Sequence, residues 1–197
     1  MVNTYSALQE IKDYAEENNV PIMTNEGINF LANYIVKYKV QKILEIGTAI
    51  GYSAIMMALA NEEAEIVTIE RDEKRYLEAL KNIKKLNLED RITLIYKDAF
   101  DVNLEDKFDL IFIDAAKAQN IRFFEKFEKN LKPTGTIITD NMNFHGLVEK
   151  DDSEIESRNL RALVRKLRAY KTFLKENTKY ETELREIGDG IAISRPR

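Results

Sequence analysis

A chain of 197 residues, 44% hydrophobic and 32% charged, is long enough for one α/β domain with a sizeable core and too short for two ordinary ones. It contains no cysteine, which excludes a disulfide framework, a thiolate metal site and a cysteine nucleophile, and no apolar run approaches the roughly 18 residues of a membrane span. The first residues lack a basic segment followed by an apolar one, so a cytoplasmic protein is expected; a net charge of −4 means that any nucleic-acid partner needs a local basic patch.

Residues 3–18 and 25–38 carry apolar positions at helical spacing and are separated by Val20-Pro21. Lys42 to Ile46 reads as a short buried strand ended by Gly47, residues 52–60 as a helix, and Glu65 to Glu70 as a second strand. A helix over 73–86 and a strand over 92–96 follow. Phe108 to Asp114 is the strongest strand. A helix over 119–130 stops before Pro133, and Gly135 to Asp140 forms another strand. A long helix is expected over about 154–176, entered through a mobile turn at Glu149 to Ser153. Two β-type segments, 179–186 and 190–194, close the chain, joined by Gly188-Asp189-Gly190, a hairpin signal.

Strands alternating with helices predict an α/β, doubly wound sheet with helices on both faces, parallel in its first five strands and completed by a C-terminal antiparallel hairpin. One domain spans 1–197, with residues 1–40 as N-terminal helices covering the site. Ligands in such sheets bind at the carboxyl ends of the strands, near the switch in strand order. That rule selects 45–51, 70–72, 98–99, 114–117 and 140–145, where most of the unusual polar residues lie.

The first strand runs into Gly47-Thr48-Ala49-Ile50-Gly51 and then a helix. Glycine lets backbone approach a ligand, and the helix N-terminus offers free N–H groups to an anion. A dinucleotide loop would read G-x-G-x-x-G. Ala49 at the second glycine disfavours a pyrophosphate, and with it a nicotinamide-dependent oxidoreductase. A small zwitterion with a carboxylate fits better, with Ser53 as hydroxyl donor to it. Glu70, with Arg71 beside it, is placed to accept from ribose hydroxyls, and Asp98-Ala99 to border an adenine ring. Each carboxylate alone is an ordinary loop residue; in register after consecutive strands they favour a nucleoside.

Asp114 ends the most apolar strand, and the next ends in Asp140-Asn141. Three oxygen donors converging there suit Mg²⁺ or a similar divalent cation, against the alternative that the aspartates cap turns. With no cysteine and only His145, zinc is disfavoured, and His145 is read as a loop residue near the site. Phe123, Phe124 and Phe127 at helical spacing are core candidates, with the alternative that one of them edges the substrate pocket.

Leu44-Glu45-Ile46-Gly47-x-x-x-Gly51-Tyr52-Ser53, Phe112-Ile113-Asp114-Ala115-Ala116-Lys117 and Asp140-Asn141 together resemble the metal-dependent O-methyltransferases of the catechol and caffeoyl-CoA type. The resemblance covers about Pro21 to Arg197. It implies a Rossmann-like methyltransferase fold and a homodimer. Asp114, Asp140 and Asn141 would hold the cation, with Lys117 and Asp114 catalytic beside the acceptor hydroxyl. Met23, Thr24, Glu45, Gly47, Gly51, Ser53, Glu70, Arg71, Asp98, Ala99 and Asp114 would form the S-adenosylmethionine site. Within the family, Val20-Pro21-Ile22-Met23, Asp140-Asn141-x-x-Phe144-x-Gly146-Leu147-Val148 and Gly188 to Ser194 are most similar to bacterial enzymes that methylate the 5-hydroxyl of 5-hydroxyuridine at the tRNA wobble position. A small catechol or phenol is the alternative acceptor, and a non-catalytic nucleotide- or RNA-binding module is an alternative of another class.

From Arg158 to Lys175 the chain holds seven cations and no acid. Arg158, Arg161, Arg165 and Arg168 repeat at intervals of three, four and three, forming one stripe beside the apolar Leu160, Leu163, Leu167, Tyr170 and Leu174. The stripe is read as an RNA-phosphate surface, against the alternative of a solvated face with arginine stems covering apolar neighbours.

Overall fold

The computed structural model describes residues 3–197. Its elements are α1 (Thr4–Glu17), α2 (Asn25–Tyr38), β1 (Lys42–Ile46), α3 (Tyr52–Ala60), β2 (Glu65–Glu70), α4 (Glu73–Lys85), β3 (Ile92–Tyr96), β4 (Phe108–Ile113), α5 (Asn120–Phe127), β5 (Leu131–Thr139), α6 (Arg158–Glu176), β6 (Tyr180–Arg185) and β7 (Ile191–Pro196). The strands form a single seven-stranded sheet in the order β3-β2-β1-β4-β5-β7-β6. The first five are parallel; β7 runs antiparallel to both β5 and β6. This is the doubly wound, Rossmann-like fold expected. Strand order reverses between β1 and β4, so the crevice outside their carboxyl ends is the natural ligand position.

Alternation along each strand divides the core. Ile43, Leu110 and Phe112 face the layer of α1, α2 and α3, while Leu44, Ile111 and Ile113 face α5 and α6, through Phe124, Phe127, Tyr170 and Leu174. The two parallel neighbours of β1 leave its residues from Ile43 to Ile46 buried on both faces, which is why it reads as a continuous apolar run interrupted only by Glu45. Local chemistry sets the boundaries. The Thr24 and Asp72 side chains accept from the Gly27 and Arg75 N–H groups and start α2 and α4.

Some boundaries differ from the sequence expectation. The long helix begins at Arg158, capped by Ser157, because residues 152–154 form a separate 3-10 turn whose Asp151 and Glu154 satisfy each other's backbone. The fifth helix ends at Phe127 and gives way to a 3-10 turn over 128–130. Strand β5 starts at Leu131, with Pro133 inside it where its register with β4 shifts. The β6–β7 connection is a five-residue loop over 186–190 rather than a tight hairpin. Among the described residues no helix is long and apolar enough to cross a membrane.

Candidate active site

The carboxyl ends of β1, β2, β3, β4 and β5 open onto one cavity of about 790 Å³, the larger of two described. Met23, Thr24, Gly47, Glu70, Arg71, Asp98, Ala99, Asp114, Lys117, Asp140 and Asn141 all line it. One end is built by the β1–α3 and β2–α4 loops. Gly47 and Gly51 have φ of +98° and +86°, and Ala49 has φ of +47°. A side chain at Gly47 would press on the Asp114 backbone, its Cβ 2.8 Å from the carbonyl carbon, so the two strand ends meet only because Gly47 has none. Glu70 is buried and fixed by backbone: its Oε2 accepts from Ala49 N–H at 2.8 Å, its Oε1 from Arg71 and Asp72 at 2.9 and 2.8 Å. Such a carboxylate keeps one acceptor position, on Oε2, while its orientation is set by the loops around it. Asp98 accepts from Phe100 N–H at 2.9 Å and from Arg71 Nη1 at 3.2 Å; these contacts, the Phe100 N–H first, hold its carboxyl below the usual range.

Three residues of the expected cofactor set stand behind this wall. Glu45 is fully buried; its Oε1 accepts from the Ser53 hydroxyl and its Oε2 from the Thr68 hydroxyl, both at 2.5 Å. Burial pushes its carboxyl up to about 7 against those two hydrogen bonds. Thr48 in turn reaches Thr68 at 2.5 Å. The Ser53 proton is therefore directed at Glu45, and Gly51 packs against Ala79, its added Cβ 3.4 Å from that residue. Glu45, Gly51 and Ser53 thus tie the loop to the sheet and helix layer. None of the three lines the cavity.

Next to the Gly47 turn, the cavity wall at the ends of β4 and β5 is acidic. Lys117 Nζ lies 4.0 Å from Asp114 Oδ1. The Asp114 side chain keeps 22% of its surface exposed toward the open cavity, and burial of the rest raises its pKa against the pull of Lys117. Asp140 is 5% exposed and is pushed up to about 7, first by burial and then by the charge of Asp114.

The fold and this geometry define a family once the whole chain is compared. The model of the O-methyltransferase family matches residues 2–197. The chain belongs to the O-methyltransferase family, and it is an S-adenosylmethionine-dependent enzyme. It is similar to a caffeoyl-CoA O-methyltransferase of Populus kitakamiensis, 28% identical over 192 residues, with 93% of this chain and 81% of the relative covered. It is also similar to the structure of a caffeoyl-CoA O-methyltransferase-like protein from Staphylococcus aureus, at 37% identity and a TM-score of 0.91, with 96% and 92% of the two chains covered. A Bacillus cereus O-methyltransferase in complex with S-adenosylhomocysteine is 26% identical with a TM-score of 0.84, covering 100% of this chain and 93% of the other.

In the O-methyltransferase cavity the donor set fits a hard divalent cation. Among the described residues no three His, Cys, Asp or Glu side chains converge as a metal cluster. What converges is two carboxylates and one amide, Asp114, Asp140 and Asn141, with a like-charged pair held mostly out of water and one ammonium 4.0 Å from Asp114. Oxygen donors that repel one another when ionised are stabilised by a small cation that keeps waters for its remaining positions.

Several lining residues were absent from the expected site set, although Asn143, Phe144 and His145 fall within the strand-end segment 140–145 selected from the sequence. Arg75 and Lys97 line it beside the β2 and β3 strand ends, and Asn143, Phe144, His145 and Asp189 line it beside the β5 end. His145 and Phe144 sit side by side at the mouth, ring centroids 5.7 Å apart, the histidine side chain 79% exposed. The signal was present in Asp140-Asn141 itself, since residues directly after the strand must line the crevice. The reach of Asp189, from the far hairpin, had no local signal.

The arginine stripe of α6 is placed away from this cavity wall, and most of it is engaged. Arg161 Nη1 donates to the Ile155 carbonyl at 2.5 Å; Arg165 Nε donates to Asp152 at 2.6 Å. Arg168 donates to the Val148 carbonyl at 2.9 Å, to Asp152 Oδ1 at 2.7 Å and to the Lys150 carbonyl. These three clamp the loop after β5 onto the helix. Arg158 makes no side-chain hydrogen bond or ion pair among the described residues. The turn read as mobile, Glu149 to Ser153, is therefore pinned, which Lys171 reinforces by reaching Glu149 at 2.9 Å.

Proposed function

We propose that this enzyme transfers the methyl group of S-adenosylmethionine to one of two adjacent oxygens on a planar ring, the acceptor being held at a divalent cation between Asp114, Asp140 and Asn141. The observation that carries this reading is the acidic pair with Lys117 in the same cavity that Glu70 and Asp98 line. Glu70 and Asp98 hold the ribose and border the adenine, and the Gly47 turn receives the methionine part of the cofactor. A divalent cation such as Mg²⁺, held by Asp114, Asp140 and Asn141, would supply the positive charge that lowers the pKa of an acceptor hydroxyl. Lys117, an ammonium donor beside Asp114, holds that oxygen and steadies its negative charge as the methyl group is transferred. As the new C–O bond forms, the C–S bond breaks and its electron pair stays on sulfur, so the protein's main task is to align the two partners in line.

For the acceptor we infer 5-hydroxyuridine at the tRNA wobble position, whose 5-hydroxyl and ring carbonyl form such an oxygen pair. The motif similarity and the outward-facing Arg158 support it. The engagement of Arg161, Arg165 and Arg168 with the loop removes most of the stripe from that argument and favours, as a second reading, a small catechol or phenol. Homodimer formation belongs to the same proposal.

One assay tests both levels. Purified enzyme is given labelled S-adenosylmethionine with either tRNA containing 5-hydroxyuridine or a free catechol, with Mg²⁺ or with EDTA. Transfer to tRNA that EDTA abolishes is expected, with Arg158→Glu weakening tRNA use most at low salt and flattening its salt dependence. Transfer to catechol alone removes the RNA reading, and transfer that survives both EDTA and Asp140→Asn removes the metal.

A further inference from the structure

The acceptor end of the cavity is completed by the turn between β6 and β7. Gly188 and Gly190 have φ of +58° and +84°, and each is packed too closely for a side chain. A Cβ on Gly188 would collide with the Thr24 hydroxyl, and one on Gly190 would lie 2.7 Å from Asn143 Cγ. Between them Asp189 is delivered into the wall, 8% exposed.

Its contacts are specific. Asp189 Oδ1 accepts from the His145 backbone N–H at 2.5 Å, and Oδ2 accepts from Asn141 Nδ2 at 3.2 Å. The Asn143 N–H donates to the Asp189 carbonyl at 2.8 Å, and the Met142 N–H to the Gly190 carbonyl at 2.9 Å. The loop so held is strained: Asn141, Phe144 and His145 have φ of +60°, +46° and +55°. Side chains there cost of order 1 kcal/mol each and persist only where the surroundings hold them.

An asparagine amide has an oxygen and an NH₂ of nearly equal shape, so its orientation is set by whatever faces one branch. A carboxylate has acceptors only. Facing Asn141, Asp189 takes the NH₂ and leaves Oδ1 as the free branch.

We propose that Asp189 is a positioning residue that selects the amide orientation of Asn141, so that an oxygen and not an NH₂ is presented to the divalent cation, while its other oxygen latches the loop at His145. The inference rests on the metal reading of Asp114, Asp140 and Asn141. Outer partners of this kind change metal affinity by about 10- to 100-fold in other sites.

Asp189→Asn separates the two contacts. Its single side-chain oxygen is claimed by the His145 N–H, which cannot turn, so its NH₂ meets Asn141 and the Asn141 amide flips. Adding Asn141→Asp restores an oxygen in either orientation. The experiment titrates Mn²⁺ alone into wild type, Asp189→Asn and the Asn141→Asp/Asp189→Asn pair by calorimetry, with thermal melting and S-adenosylmethionine binding measured beside it. Asp189→Asn is expected to weaken Mn²⁺ by at least about tenfold with cofactor affinity retained, and the pair to recover wild-type Mn²⁺ affinity within a few-fold. Wild-type Mn²⁺ affinity in Asp189→Asn, or a pair as weak as the single variant, overturns the positioning role while leaving the metal site standing. No Mn²⁺ uptake by wild type overturns the metal reading and this inference with it.

Discussion

Gly47 and Asp114, at the ends of adjacent parallel strands, are packed backbone to backbone: a Cβ on Gly47 would lie 2.8 Å from the Asp114 carbonyl carbon and 3.0 Å from Ala115 Cα. The Gly47 turn and the Asp114 strand end are therefore one rigid unit. Gly47→Ala adds both a positive-φ penalty and a clash with backbone that cannot rotate away. Urea unfolding should show a loss of about 2–4 kcal/mol, and calorimetry a loss of S-adenosylmethionine binding; an unchanged cofactor Kd contradicts the close approach.

The acidic pair makes a prediction about metal removal. With Asp114 and Asp140 facing each other in a partly dry wall, adding Mg²⁺ relieves repulsion that the free protein bears. Melting temperature should rise with Mg²⁺ and fall with EDTA, following mass action. Asp140→Asn should abolish that dependence and lower methyl transfer by about 100-fold or more. A Mg²⁺-independent melting curve in wild type contradicts the cation site.

Glu45 predicts a pH dependence of stability. Its carboxyl is raised from 4.5 to about 7 in the folded chain, so between those values the folded state holds a proton that the unfolded state releases. This contribution is fully present below about pH 4.5 and is lost as the pH rises through about 7. Glu45→Gln keeps one acceptor and one donor for Ser53 and Thr68 and removes the titration. The variant should gain on wild type as pH rises, by of order 3 kcal/mol between acid and pH 8. Parallel stability curves from pH 5 to 8 exclude a protonated Glu45.

Arg168 should control the acceptor loop. Its guanidinium bridges Val148, Lys150 and Asp152, and Lys171 adds Asn143 and Glu149. Arg168→Ala should speed proteolysis between Val148 and Glu156 several-fold and raise the acceptor KM while leaving the cofactor Kd near wild type. Arg168→Lys should recover little, because an ammonium lacks the fork that spans three acceptors. Unchanged proteolysis would place loop anchoring elsewhere, at Arg161 or Lys171.

The sequence alone determined the sheet and which strand ends would line the cavity. Alternating apolar runs and helices define a parallel sheet, and a parallel sheet puts every carboxyl strand end on one edge. Glu70, Asp98, Asp114 and Asp140 were legible for that reason. Only the tertiary structure decided which polar side chains are available to a ligand. Ser53 and Glu45 satisfy each other behind the wall, and Arg161, Arg165 and Arg168 satisfy loop carbonyls and Asp152. Asp189 reaches Asn141 across 48 residues of chain. Strand periodicity is local and can be read residue by residue. Hydrogen-bond partners of buried polar groups are set by which distant segments pack together, and a buried donor takes whatever acceptor that packing supplies.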